Sequence, residues 1–324
     1  MSGPLVSIVV PVYNVECYVE ECLQSVCSQT YENLEIICID DVGSDKSMDI
    51  VRLYATKDSR INIVEHEKNK GLAEARNTGL RNLSGDYVFF LDSDDFLSVD
   101  AIERLVRCAS MCDTDIVIGG ASVFSDDESE ETRVAVESLK AFLTLPECEE
   151  MSEREWLAMA NGIPCVAWGK LFKIEFIRQN GLKFISANVR HEDNGFHLKC
   201  VACSPKISFL AGDDIYHYRI RRTSIMGKLR STRDGKSRED LQRVLSDAFG
   251  FIKRRNPDFC DFVRDCYWSD FAFRCFGCVF YWGRYWKYLK IGPVVLIKKG
   301  VSSDGQRHFL KVLGLKVYEK PFVL

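Results

Sequence analysis

The chain has 324 residues, of which 46% are hydrophobic, with a mean hydropathy of −0.11, enough to build one large domain or two ordinary ones. It carries no apolar run of transmembrane length and no basic-then-apolar leader, which excludes a helical membrane-spanning protein and predicts a cytoplasmic one whose fold begins near Val6. The net charge of −4 is unevenly spread: Phe251–Leu324 holds 14 Lys+Arg against 6 Asp+Glu, a basic end that predicts an anionic partner.

Val6-Ser7-Ile8-Val9-Val10 is a short β-branched run closed by Pro11, which predicts the first strand. Val19, Cys22, Leu23, Val26 and Cys27 then fall at helical spacing. Glu35–Ile39 predicts a second strand ending at Asp40-Asp41, and Ser47–Tyr54 a helix. Ile61–Val64 predicts a third strand, Leu72–Leu80 a helix after Gly71, and Tyr87–Leu91 a fourth strand. Alternating strands and helices predict an α/β fold with a mostly parallel sheet covered on both faces. Residues 125–155 are polar and acidic, Trp156–Lys206 reads as mostly helical, and 225–240 is polar and charged. The predicted division is a first domain over 1–225, in halves 1–120 and 121–225, followed by a helical, aromatic and basic region over 226–324.

The fourth strand ends abruptly in Asp92-Ser93-Asp94-Asp95. Like charges gathered at a buried strand end raise the free energy unless a cation compensates them. Oxygen ligands of this kind favour a hard cation such as Mg2+ or Mn2+. The same residues also read as an acidic turn whose Asp94 or Asp95 caps the following helix. Ligands of parallel sheets bind beyond the strands' carboxyl ends. Pro11-Val12-Tyr13-Asn14, Asp40-Asp41 and Asp92-Ser93-Asp94 all lie at such ends. The 14 cysteines are dispersed, and Cys200-x-x-Cys203 and Cys275-x-x-Cys278 lack zinc-ribbon separation and companion histidines, so they read as small core residues.

Taken in order, several motifs resemble glycosyltransferase family 2 with its GT-A, Rossmann-like fold. They are Val6–Asn14, Gln29-Thr30-Tyr31, Ile39-Asp40-Asp41, Gly71–Gly79, Gly85-Asp86-Tyr87 and Leu91–Asp95. Further on come Trp168-Gly169-Lys170-Leu171, His191-Glu192-Asp193 and Tyr216-His217-Tyr218-Arg219. One departure stands out. Val42 follows the aspartate pair where the family usually has glycine, and the expected accommodation is a one-residue shift that gives Gly43 the left-handed conformation.

The resemblance implies an inverting transferase that moves a sugar from a UDP-sugar to a hydroxyl of a glycan or lipid-linked glycan in cell-surface polysaccharide synthesis. It implies a nucleotide-sugar site of Pro11, Tyr13, Asn14, Asp41, Arg76, Asp92 and Ser93, with Asp41 accepting a ring N–H of the base. It implies Mn2+ or Mg2+ on Asp94 and Asp92, and Asp193 as the general base with Glu192 beside it. Trp168 is expected in the acceptor site, and His217, Arg219 and Arg222 in a lid. Lipid-linked acceptors, together with the basic aromatic stretch from Phe259, fit peripheral attachment to an anionic inner membrane face. The rival for that stretch is packing on the catalytic domain or in a homodimer. No nucleic-acid module is recognisable. The competing functions are a nucleotidyltransferase of related fold, whose Gly-rich basic loop is missing, and an inactive carbohydrate-binding or assembly protein.

Overall fold

Val6–Val12 (β1) is buried at every position, because it lies between two parallel neighbours and has no solvent face. Its neighbours are β2 (Leu34–Asp40) and β4 (Tyr87–Phe90), and β3 (Ile61–Glu65) pairs parallel to β2. Pro11, expected to close the strand, instead sits within it opposite Ile39. The connecting helices are α1 (Val19–Cys27), α2 (Ser47–Ala55) and α3 (Leu72–Asn82). The computed structural model describes residues 3–127, 129, 136, 165–203, 205–221 and 235–255, together with strands between 273 and 321.

Beyond β4 come β5 (Phe96–Leu97), α4 (Ala101–Cys112), β6 (Ile116–Phe124), β7 (Lys170–Lys173), α5 (Ile174–Gln179), α6 (Glu192–Val201) and β8 (Ile207–Arg219). The first sheet has eight strands in the order β3-β2-β1-β4-β7-β6-β8-β5. β7 runs antiparallel to both β4 and β6, so the sheet is mixed on this side. The expected boundary at 120 falls inside β6, and both predicted halves share one sheet. The core joins Val6, Ile8, Val10, Leu23, Ile36, Phe89, Leu105, Leu171 and Tyr216.

α3 lies unusually close to β1. A Cβ at Gly79 would come within 2.3 Å of Val9 Cγ1, so only glycine admits this approach.

The chain divides into two compact units, Met1–Ala248 and Phe249–Leu324, with the division inside α7 (Gly235–Arg255) rather than at 225. The expectation of a helical region over 226–324 holds for α7 and is corrected beyond it. The second unit holds a six-stranded antiparallel sheet, β9 (Phe273–Cys275), β10 (Cys278–Trp282), β11 (Lys287–Ile291), β12 (Val294–Val301), β13 (Arg307–Val312) and β14 (Leu315–Pro321), in simple meander order. Runs such as Val294-Val295-Leu296-Ile297 favour strand, and Gly292-Pro293 is a turn signal that helical reading overlooked. Among the described residues no helix is long and apolar enough to cross a membrane.

Candidate active site

The carboxyl ends of β1, β2 and β4 lie side by side, which brings Tyr13-Asn14, Asp40-Asp41 and the Asp92–Asp95 turn to one edge. Tyr13 is half exposed there and offers a free aromatic face, whereas Pro11 and Ser93 are buried. Asn14, with φ of 52°, turns its Oδ1 to accept the Ser44 amide at 2.7 Å. Behind this rim lies a cavity of about 180 Å³ lined by Tyr13, Asn14, Asp40, Val42, Met48 and Arg52.

The predicted shift at Val42 does not occur. Val42 itself adopts φ of 58°, an outlier for a β-branched residue, and Asp40 Oδ1 holds the Val42 amide at 2.8 Å. Gly43 is needed for a different reason: a Cβ there would meet Asn14 Oδ1 at 2.9 Å.

Asp41 is buried, and its carboxylate ties down the loop before α3. Oδ1 accepts the Lys70 amide at 2.8 Å and meets His66 Nδ1 at 2.8 Å, while Oδ2 accepts the Gly71 amide at 2.9 Å. His66 Nε2 in turn meets Thr78 Oγ1 at 2.8 Å. Among the described residues Oδ2 has that one donor, so a second lone pair remains for a base N–H.

Arg76, expected in the nucleotide-sugar site, is committed to carboxylates instead. It is 1% exposed and lies beneath the edge, with Nη2 donating to Asp92 Oδ1 and Nη1 to Glu192 Oε1, each at 2.6 Å. Burial opposes its charge, but Asp92, Glu192 and Asp193 outweigh that and raise its pKa. Glu192 and Asp193 open α6 after His191, whose φ of 64° turns the chain into the helix. Burial first, then Asp193, pushes the Glu192 carboxyl up to about 7. Burial raises Asp193 as well, against the pull of Arg76 and of the Asn194 amide that its Oδ1 accepts at 2.9 Å. A carboxylate lifted in this way takes up a proton more readily than a free one does.

The Asp92–Asp95 acids divide by burial. Asp95 is 1% exposed and accepts the Tyr216 hydroxyl and the Arg219 amide, both at 2.7 Å. It caps no helix, since α4 is preceded by Asp100, and it instead fastens β8 to the turn. Asp92 and Asp94 keep side chains 21% and 18% exposed. Arg221 Nε donates to Asp94 Oδ2 at 2.6 Å. Burial raises the Asp94 pKa, Arg221 lowers it and Asp92 raises it again. Arg221 was not among the predicted residues. Its place four positions after His217, in a run of arginines ending the motif, was the available signal.

Three other predicted residues pack rather than present. Trp168 is buried and stacks on Tyr216 at 4.5 Å and Tyr218 at 5.1 Å, so its faces belong to the core and not to an acceptor. His217 meets Ser98 Oγ at 2.9 Å and Ser122 Oγ at 2.7 Å with its two ring nitrogens and stacks on Phe96. Arg219 is buried, donates to the Asp94 carbonyl at 3.0 Å, and pairs with Asp126 and Glu21 between the rings of Tyr18 and Phe124. Neither it nor His217 is available to a lid. Arg222 lies outside the described residues, as do the side chains of the aromatic C-terminal stretch.

The donor set at this edge suits a hard cation. Asp92 and Asp94 offer carboxylate oxygens, each with one oxygen claimed by a guanidinium, and Arg221 already places positive charge on Asp94. Among the described residues no three His, Cys, Asp or Glu side chains gather to hold a metal alone, so the remaining ligands would have to come from a bound diphosphate and water.

Comparison with known proteins gives the family. Residues 7–170 match the sequence profile of Glycosyl transferase family 2. Glycosyltransferase GlyA of Streptococcus pneumoniae is 34% identical over 229 residues, covering 68% of this chain and 31% of GlyA. The poly(ribitol-phosphate) beta-glucosyltransferase of Bacillus spizizenii is 30% identical over 228 residues, covering 67% of this chain and 32% of that protein. The matched stretch thus spans about a third of either relative. In structure, S. aureus TarS 1–349 in complex with UDP-GlcNAc superimposes with a TM-score of 0.63 at 21% identity, over 82% of this chain and 71% of TarS. A mixed α/β sheet flanked by helices and edged with acids is the GT-A architecture. The chain belongs to glycosyltransferase family 2.

Proposed function

We propose that this chain transfers a sugar from a UDP-sugar to a hydroxyl of a cell-surface glycan or lipid-linked glycan, with inversion at the anomeric carbon. The observation that carries this reading is one buried charge cluster in which Asp92, at the β4 edge, and Glu192-Asp193, at the head of α6, meet through Arg76. The poly(ribitol-phosphate) beta-glucosyltransferase favours a polymer as acceptor, and the complex of TarS with UDP-GlcNAc favours a UDP donor.

In this reading the base stacks on Tyr13 and gives its ring N–H to Asp41 Oδ2. Asp94 and Asp92 would hold Mg2+ or Mn2+, which supplies positive charge to the departing diphosphate. The acceptor hydroxyl loses its proton to the Asp193 carboxylate as its oxygen attacks the anomeric carbon. The bond from that carbon to the β-phosphate oxygen breaks, and UDP leaves on the opposite face. One carboxylate suffices, because no covalent sugar–enzyme intermediate forms.

Asp193→Asn tests the assignment. Transfer should fall by about 1,000-fold or more, while UDP binding in the presence of Mn2+, measured by calorimetry, stays within about threefold. Full transfer by the variant would remove Asp193 from the role. The net charge of +8 over Phe251–Leu324 supports docking of the second unit on an anionic bilayer. Co-sedimentation with phosphatidylglycerol vesicles, lost at high salt, checks that docking.

A further inference from the structure

We propose that Arg76 is a positioning residue: by holding Asp92 with one arm and Glu192 with the other, it sets the helix that bears Asp193 against the donor edge. The inference rests on the transfer reading above and assigns Glu192 the part of anchor rather than reserve base.

Four observations lead here. Arg76 is 1% exposed and spends Nη1 and Nη2 on two carboxylates 2.6 Å away, one of them 116 residues distant in sequence. Its buried Nε has no hydrogen-bond partner among the described residues, so among them its hydrogen bonds go to these two acids, while the guanidinium lies 5.5 Å from the centre of the Phe184 ring. The next residue ties α3 to the stretch that precedes α6. Asn77 Nδ2 donates to the Phe184 carbonyl at 3.2 Å, and the Phe184 amide donates to Asn77 Oδ1 at 2.9 Å. The helix itself cannot drift, since Gly79 is pressed against Val9 of β1.

α3 therefore acts as a bolt between the parallel strands that end in the acids and the segment that leads into α6. A planar fork can bridge two carboxylates in fixed relation, which a single ammonium cannot. Glu192 and Asp193 are consecutive at the head of α6, so drawing Glu192 onto Arg76 fixes the direction in which Asp193 faces. The raised pKa of Glu192 agrees with an anchor that tolerates a neutral amide in its place.

The test uses the full chain with Glu192→Ala, Glu192→Gln and Arg76→Lys. Glu192→Ala cuts the acceptor-side arm, and kcat should fall about 100-fold, the scale of a 1 Å misplacement, while the Kd for UDP with Mn2+ stays within about threefold. Glu192→Gln keeps an oxygen for Nη1 and should recover kcat to within about tenfold of wild type. Arg76→Lys, which loses the fork, should lower kcat and weaken UDP binding together. If Glu192→Gln is as inactive as Asp193→Asn, Glu192 is itself the reacting group and the proposal fails. It fails equally if Glu192→Ala leaves kcat intact, or if in that variant UDP affinity drops in step with kcat. A thermal double-mutant cycle of Arg76→Lys with Glu192→Ala, which removes the acceptor, provides a readout without substrate, and additive shifts in Tm would show that the two side chains are not coupled. Wild-type protein that binds no UDP would overturn the transfer reading, while the cycle would still decide whether the Arg76–Glu192 link exists.

Discussion

Two turns at the sheet edge, Asp40-Asp41 after β2 and Asp94-Asp95 near the end of β4, use the same local sequence in different ways. In each, the second acid is buried and spent on main-chain amides: Asp41 on Lys70 and Gly71, Asp95 on Arg219. In each, the first acid faces a guanidinium. Arg52 approaches Asp40 at 3.7 Å with its side chain 51% exposed, whereas Arg221 approaches Asp94 at 2.6 Å and is 18% exposed. Asp94 also has Asp92 nearby, which adds to the effect of burial in raising its pKa. Consecutive aspartates therefore do not by themselves mark a cation site. The Asp40 and Asp94 side chains are about equally covered, 14% and 18% exposed, so it is the third carboxylate, Asp92, that creates the demand for positive charge.

The sharpest way to break this comparison is to remove one acid from each turn. Asp94→Ala should weaken Mn2+-dependent UDP binding by about 100-fold or more, while Asp40→Ala, which loses the 3.7 Å pair with Arg52 and the acceptor of the Val42 amide, should cost about 1–2 kcal/mol of stability and weaken that binding far less. Calorimetry with and without Mn2+ would read the first effect. Equal loss in both variants would erase the distinction.

A smaller effect concerns Asp95. Tyr216→Phe removes the hydroxyl that donates to Asp95 Oδ2 and accepts the Asp92 amide at 3.2 Å. With two buried groups left short of partners, denaturant unfolding should show a loss of about 1–3 kcal/mol. No measurable change would mean that the turn is held without this contact.

Acid pairs also differ in pH response. Glu192 and Asp193 are raised above their ordinary values, chiefly by burial, so each holds its proton more tightly in the folded chain, Glu192 over a window from about pH 4.5 to 7. Their contribution to stability therefore falls as pH rises through that window. Glu192→Gln should flatten this part of the Tm–pH curve, and a steeper curve would contradict the assignment. The smallest effect expected is at the β2 turn: Val42→Gly relieves a left-handed β-branched residue and should raise stability by about 0.5–1 kcal/mol, visible as a higher Tm.

The parallel half of the fold was legible because period and punctuation agreed. β-branched runs separated by helical spacing led correctly to β1, α1, β2, α2, β3, α3 and β4, with ends off by one or two residues. The antiparallel sheet of the second unit was not read from sequence, because its aromatic and basic residues suit an amphipathic helix as well as a strand until the hairpin spacings are weighed. At the site, the chain itself determined which residue types reach the edge of the sheet: the aspartates follow apolar runs, and a buried strand must release its charges at its end. Tertiary structure alone decided which of them remain available. Arg76 and Glu192 lie 116 residues apart and meet only when α3 packs on β1, while Trp168 and His217 find their partners on β8 and within the core. Exposure and pairing are set by long-range packing, and local spacing carries no record of it.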